Sequence, residues 1–476
     1  MPQEKIEVDP SRTLLHQILF GIPWFFSRIG LVNRNRANKA IDLAWPRSIS
    51  GLARYSIHTA DLVMIGWAVG VVGVSALAFA FAIFRLIKRF VIGLSAGTLS
   101  LVSQYYGSEE YTKAEFVLKQ SIWMAIISGF VFAAVIIVSA SELVRFLGAE
   151  SEVIVLASIY LQILAIGIVF QYVSVICSRA FAGAGDTKTP MIIRSGSALL
   201  NICLNAVFIF GLGPFPRFGV AGAALGTTLA MFAAAVVFLL ALIFTETVID
   251  FKLGGKQWDT RVVRQILKIG IPAIGRKVSQ TAARIPLLMI LALFGTGAVA
   301  AYEVGRRLLE FARTPMWGFN FSASVLVGQS LGAGNPDIAL AYIKDITYMS
   351  VGLLLPVFLA MAIFPERLGS LVVPGADSDF MELFILIYAL GGMGYILDEA
   401  TSGALTGAGD TRWPFYGTLF GLYVVMIPGA YFAGIVYGLG IIGVVVPLLA
   451  EFYVPAAVNM YRIYTGKWVE ISKSIT

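Results

Sequence analysis

Cysteine and histidine are nearly absent, with two of each in 476 residues. Cys177 and Cys203 cannot staple a small scaffold and read as small core residues of apolar segments. His16 and His58 are too few for a histidine-based metal centre, so neither a metal nor a cofactor is expected. Charge is scarce too, at 13% of residues, against about 25% in a typical soluble domain. That shortage excludes a coiled coil, a disordered chain and most soluble enzymes. No segment keeps up strand alternation, and no outer-membrane barrel is this apolar. A basic opening region is missing as well: the first residues are acidic and polar, so no cleaved signal is expected. Acids are fewer than bases, 28 against 35, which leaves a net charge of +7.

Apolar residues make up 58% of the chain, with 48 glycines and 33 phenylalanines. Runs of spanning length recur from Ala44 to Met460 and predict twelve helices, over 44–67, 74–103, 115–140, 153–178, 190–212, 219–245, 267–295, 299–329, 338–364, 380–406, 413–435 and 440–462. The fold class is an all-α integral membrane protein. Residues 13–32 are amphipathic, are broken by Pro23 and carry Trp24, Phe25 and Phe26. They predict a helix lying on the membrane rather than a thirteenth span. Basic loop residues gather on one side: in the N-terminal tail, in the linker with Lys252, Lys256, Arg261, Arg264 and Lys268, and in the C-terminal tail with Lys467 and Lys473. The opposite side offers Arg145, Arg217 and Arg367, so both termini are expected in the cytoplasm, with the protein in the plasma membrane.

An internal repeat is the most specific pattern. Leu101-Val102-Ser103-Gln104 with Gly107 returns as Leu326-Val327-Gly328-Gln329 with Gly332, an offset of 225 residues. Gly183-Ala184-Gly185-Asp186-Thr187 with Pro190 returns as Gly407-Ala408-Gly409-Asp410-Thr411 with Pro414, an offset of 224. Six spans per repeat is an even number, so the halves share one orientation and predict two pseudo-symmetric six-helix bundles with the site between them. The expected organisation is an interfacial segment 1–43, a bundle 44–245, a linker 246–266, a second bundle 267–462 and a tail 463–476. The doubled glycine segment is not a phosphate loop, because Thr187 stands before Lys188 where a Walker motif needs glycine. It reads as a tight turn in which Asp186 or Thr189 caps the next helix.

Asp61 stands inside an apolar helix, where a carboxylate is costly and marks a coupling or substrate site; a permanent pairing with Arg54 is the plainer alternative. Asn201 and Asn205 share one helix face by their four-residue spacing. The doubled turn, the repeated Leu-Val-x-Gln-x-x-Gly, the Leu43-Ala44-Trp45-Pro46 and Ala60–Gly66 segments and the Asn201–Gly211 segment together resemble the multidrug and toxic compound extrusion (MATE) family, over roughly residues 40 to 465. That resemblance implies a V-shaped twelve-helix exporter that expels a solute against a proton or sodium gradient by alternating access. It also implies that Asp61 is the ion-coupling aspartate, with Asn201, Asn205 and Thr227 as its polar partners. The second bundle departs from this pattern. Pro286 stands opposite Asp61, Gln280 where some members carry a glutamate, and Asp398 and Glu399 about one turn from the family's aspartate, so a proton route through Asp61 is favoured over sodium.

Four helices carry charged faces. Arg47, Arg54, His58 and Asp61 share a face of the first helix, and Arg85, Lys88 and Arg89 one of the second. Arg276, Gln280 and Arg284, with Lys277, share a face of the seventh, and Glu303, Arg306, Arg307, Glu310 and Arg313 make a stripe down the eighth. Cations facing lipid cost about 2.5–3.5 kcal/mol each, so ten unpaired would approach about 25–35 kcal/mol. These faces must pair with acids or line a wet cleft. Glu303–Arg307 and Arg306–Glu310 are expected pairs at i,i+4. With Arg47 left out as a helix-end residue, ten deep bases against five deep acids still leave a surplus of five, a composition suited to anionic or zwitterionic solutes. Snorkelling of some of these side chains to headgroups is the plainer alternative. The expectation is therefore a monomeric secondary exporter, not an enzyme, whose partners are membrane lipid, a small solute and H+ or Na+, with no nucleic acid. The rival reading is a flippase for a lipid-linked precursor or polysaccharide.

Overall fold

The computed structural model describes residues 14–244, 254–372, 378–473 and 475; within these, the side chains of 14–20, 52–56 and 378–379 are not described. Every regular element among the described residues is helical. An opening helix, α1 (Leu14–Arg28), is followed in the first half by α2 (Arg34–Val69), α3 (Val71–Gly107), α4 (Tyr111–Phe146), α5 (Ser151–Gly183), α6 (Lys188–Phe210) and α7 (Val220–Phe244). The second half opens with two interrupted spans, α8 (Thr260–Ala282) with α9 (Arg284–Ala292), and α10 (Thr296–Ala312) with α11 (Met316–Gly332). Then come α12 (Pro336–Ile363), a short α13 (Pro365–Val372) and α14 (Ser378–Gly407), and the last spans, Arg412–Val436 and Gly440–Tyr464.

Among the described residues, nine of these helices are long and apolar enough to cross a membrane on those criteria alone. The remaining three of the twelve spans are α2, α8–α9 and α10–α11, three of the four charged helices of the sequence. Their hydropathy is lowered by arginine and lysine, and the latter two are also broken. The seventh span stops at Ala282 and restarts at Arg284, two residues before Pro286, and the eighth is interrupted between Ala312 and Met316, around Pro315. Proline removes a backbone donor and clashes with the preceding turn, which accounts for both breaks. Apolar runs alone predict each of these spans as one helix, over 267–295 and 299–329.

Two apolar cores form, one per half, but their membership crosses the expected domain boundaries. The core of the first half takes in Ile266 and Ile269 from the foot of α8. The core of the second takes in Ala37, Ile41 and Ala44 from the foot of α2. Each half thus begins with a helix rooted in the other. The opening helix docks through Phe26, whose ring lies where a Cβ on Gly352 of α12 would stand.

The repeated motifs meet across the pseudo-two-fold. Gln104 of α3 donates from Nε2 to the Gly407 carbonyl at 2.8 Å, and Gln329 of α11 donates to the Gly183 carbonyl at 2.9 Å. Backbones touch in the same reciprocal way: a Cβ on Gly107 would run into the Gln329 carbonyl, and one on Gly332 into that of Gln104. Glycine at both positions lets the helix ends close. Nearby, Arg36 of α2 pairs with the buried Asp345 of α12 at 2.6 Å, and Arg47 and Arg179 both lie over the Phe321 ring, at 5.5 and 4.9 Å. All of these contacts belong to the face that carries the doubled turns. At the far ends of the interrupted spans, α9 and α10 pack within their own half. The twelve-helix fold is V-shaped, with its vertex at the turn face.

Candidate functional site

In the first half Asp61 is 1% exposed, deep in α2. Asn205 Nδ2 donates to its Oδ1 at 2.6 Å and to Asn201 Oδ1 at 3.3 Å, and Asn201 Nδ2 donates to Thr227 Oγ1 at 3.0 Å. The Thr227 hydroxyl returns its proton to the Ala223 carbonyl of its own helix. Helix α7 can approach because Gly226 has no side chain: a Cβ there would overlap Asn205 Oδ1. The structure therefore brings Asp61, Asn201, Asn205 and Thr227 into one chain of hydrogen bonds. No ion pair to Asp61 is formed among the described residues. Arg54, the alternative partner, lies on α2 with its side chain outside the described residues.

Asp61 also borders a cavity between α2, α3, α5, α6 and α7, lined by His58, Lys88, Tyr160, Arg194, Asn201 and Thr227 among others. A buried carboxylate with one hydrogen-bond donor and no counter-ion among the described residues holds its charge at a cost that a proton or a cation from this cavity removes. Two lining residues were not singled out from sequence. Arg194 is two turns before Asn201 on the same face of α6, a spacing that could have identified it. Tyr160, fully buried in a uniformly apolar helix, gave no periodic signal.

The second half is built on different chemistry. Arg276 Nη2 lies 2.6 Å from Asp398 Oδ2, its Nε donates to Thr418 Oγ1 at 3.1 Å, and Asn459 Nδ2 donates to Asp398 Oδ1 at 2.9 Å. Both charged side chains are buried. Of the two outcomes expected for these charged faces, pairing with an acid or lining a wet cleft, Arg276 and Asp398 show the first: each satisfies the other inside the helix packing, the arrangement that makes burial of a full charge tolerable. Glu399 is buried beside them, its backbone carbonyl taken by Asn320 at 2.7 Å. Gln280 accepts a 3.5 Å hydrogen bond from Lys277.

The eighth span divides its stripe. Glu303 and Arg307 are exposed, and the ion pair expected between them is not formed. Arg306 is buried and approaches Glu310 Oε1 at 3.9 Å, the expected i,i+4 partner. Arg284 and Arg313 reach the same oxygen at 3.5 and 3.7 Å. On the facing half, Arg89 is half-buried with Arg284, Arg313, Arg85 and Arg306 as its charged neighbours. Arg85 is exposed and donates to its own helix at the Phe81 carbonyl.

Comparison with known proteins agrees with this architecture. The sequence profile of the MatE family matches residues 46–207 and 272–432, one match in each half. The chain is 25% identical over 436 residues to a probable multidrug resistance protein NorM of Thermotoga maritima, covering 90% of this chain and 92% of that one. A crystal structure of a MATE protein in a bent conformation superposes with a TM-score of 0.85 at 21% identity, covering 96% of this chain and 98% of the other. A Pyrococcus furiosus transporter of the MOP superfamily, described as having a binding pocket of reverse polarity that suggests a different function, superposes at 0.82 with the same identity and coverage. With both repeats matched by the profile and the whole fold shared, the chain belongs to the MatE family of multi-pass membrane transporters.

Proposed function

We propose that the protein is a secondary active exporter that moves small organic solutes out of the cell in exchange for protons taken up at Asp61. The observation that carries this reading is the buried carboxylate at a cavity wall, with Asn205 as its hydrogen-bond donor and no ion pair among the described residues. The group beside Asp61 Oδ1 is an N–H, which suits a carboxylate that exchanges a proton better than a sodium shell of oxygen ligands. The relatives named multidrug resistance and multidrug export proteins support export of organic solutes. In this chain the arginine excess favours anionic or zwitterionic solutes. The termini face the cytoplasm in this reading, following the basic loops.

Proteoliposomes with imposed proton or sodium gradients test it. Wild type should accumulate solute when the proton gradient is applied, and Asp61→Asn should lose that response while the fold is retained. Full coupled transport by Asp61→Asn, or dependence on sodium alone, would sink the proposal.

A further inference from the structure

We propose that the broken centre of the second half is an anion site in which Glu310 occupies the place of a ligand carboxylate or phosphate. The exporter reading identifies a cleft; this proposal rests on that reading and assigns the cleft a binding group and an internal competitor.

The position comes from the two helix breaks. Arg284 is the first residue of α9, directly after one break, and Arg313 caps α10 at the other. Arg313 lies near the middle of its span, and Arg284 lies in the later part of its own. Interrupted membrane helices are tolerated where the loosened backbone is buried in protein or lines a cavity, and they commonly build a transporter's binding site. The pseudo-symmetric helices α2 and α3 run without interruption, so this construction is specific to the second half.

The chemistry comes from the side chains gathered there. Three guanidinium groups, from Arg284, Arg306 and Arg313, converge on one oxygen, Glu310 Oε1, at 3.5, 3.9 and 3.7 Å. All three approaches are longer than the roughly 2.7–2.9 Å of a charge-assisted hydrogen bond. One carboxylate is shared too thinly to satisfy three forks. The Nε atoms of all three arginines are buried without a hydrogen-bond partner, and the Arg306 side chain is only 7% exposed. Buried donors left unmade are costly, so the cluster is short of acceptors. Glu451 supplies a second acid, 3.9 Å from Arg306. Three guanidinium groups against these two acids leave the cluster net positive, which repels an organic cation and attracts an anion. Arg306 is held by the buried Tyr302, whose hydroxyl accepts from its Nη1 at 3.3 Å, so its fork is preorganised. A carboxylate or phosphate brings two or more acceptor oxygens to these forks and can displace the single Glu310 carboxylate.

Equilibrium binding in nanodiscs tests this without any gradient. Loss of proton coupling would therefore sink the exporter reading and leave this result standing, and the reverse holds equally. Inorganic pyrophosphate and succinate are titrated into protein in zwitterionic lipid, with ethidium as the cationic control. A second preparation carries phosphatidylglycerol, to separate a soluble anion from a lipid headgroup. Glu310→Gln should tighten anion binding about tenfold by removing the competitor, and Arg306→Gln should abolish it, with partial recovery in Arg306→Lys. The same order of variants seen only with phosphatidylglycerol supports the site with a headgroup as its source. Anion affinity unchanged in Glu310→Gln overturns the proposal, as does ethidium binding that depends on Glu310. Should Arg306→Gln fail to fold, the near-isosteric Glu310→Gln still decides.

Discussion

At the scale of single residues, the two halves solve the same problem in opposite ways. Asp61 is buried with a single amide donor and a cavity beside it. Asp398 is buried with a guanidinium locked against it, so its charge is spent within the protein. Removing one member of such a buried pair strands the other and costs about 3–5 kcal/mol, whereas replacing both by apolar groups can be neutral. Arg276→Met should therefore lower the melting temperature of the purified protein markedly, and Arg276→Met with Asp398→Leu should recover most of it. Failure of the double variant to recover would show that the pair does more than satisfy itself. The network of Asp61, Asn201, Asn205 and Thr227 could be assembled from sequence only through family resemblance; spacing alone paired the two asparagines. Arg276 with Asp398, 122 residues apart, was beyond reach because nothing local in a sequence reports which distant helix face a charge meets.

At the scale of elements, apolar runs located the twelve spans, nine of them apolar enough by length and composition alone and three with hydropathy lowered by their charges. The breaks in the seventh and eighth spans were missed, although Pro286 and Pro315 stand at both. Proline also lies within continuous helices, at Pro46 of α2 and Pro356 of α12, so its presence does not decide a break. What decides is whether surrounding packing satisfies the freed backbone. The foot of α8 illustrates local control instead. Asp259 caps it, accepting from the Arg261 backbone N–H at 2.8 Å and pairing with Lys256. The Lys256 hydrogen bond first, and then the Arg261 N–H, hold the Asp259 carboxyl below its usual value of 3.8. A depressed acid stabilises the folded end above its unfolded pKa, and that contribution disappears as pH falls through the lower folded value. The amide protection factor over 260–264, the exchange rate corrected for its intrinsic pH dependence, should therefore be steady near neutrality and fall only below about pH 4, and Asp259→Asn should reduce the acid sensitivity. A protection factor that is insensitive to acid in the native protein would contradict the cap.

At the scale of the whole molecule, the repeated motifs form the seam on which the halves close. Gln104 and Gln329 each bind the glycine carbonyl that opens the other half's turn, and Gly107 and Gly332 let the backbones touch. Gln104→Ala with Gln329→Ala should loosen the turn face. Paired spin labels across that face should report a broader, longer distance distribution than in wild type, and each single variant an intermediate one. Cys203 is exposed and would first be replaced, whereas Cys177 is buried. An unchanged distribution in the double variant would show that the ion pair of Arg36 and Asp345 and the Phe321 clamp suffice to keep the face shut. From sequence the motifs read as plain turns, and the turns are real; their partnership across the seam was not legible. The sequence by itself determined the membrane class, the span count, the doubling and the charge excess, since each follows from composition and period along one chain. Only tertiary structure decided which arginines are spent in pairs, which crowd around Glu310, and that each half is rooted in the other. Those outcomes depend on which helix faces meet, and helices from opposite ends of the chain meet through packing that no local pattern encodes.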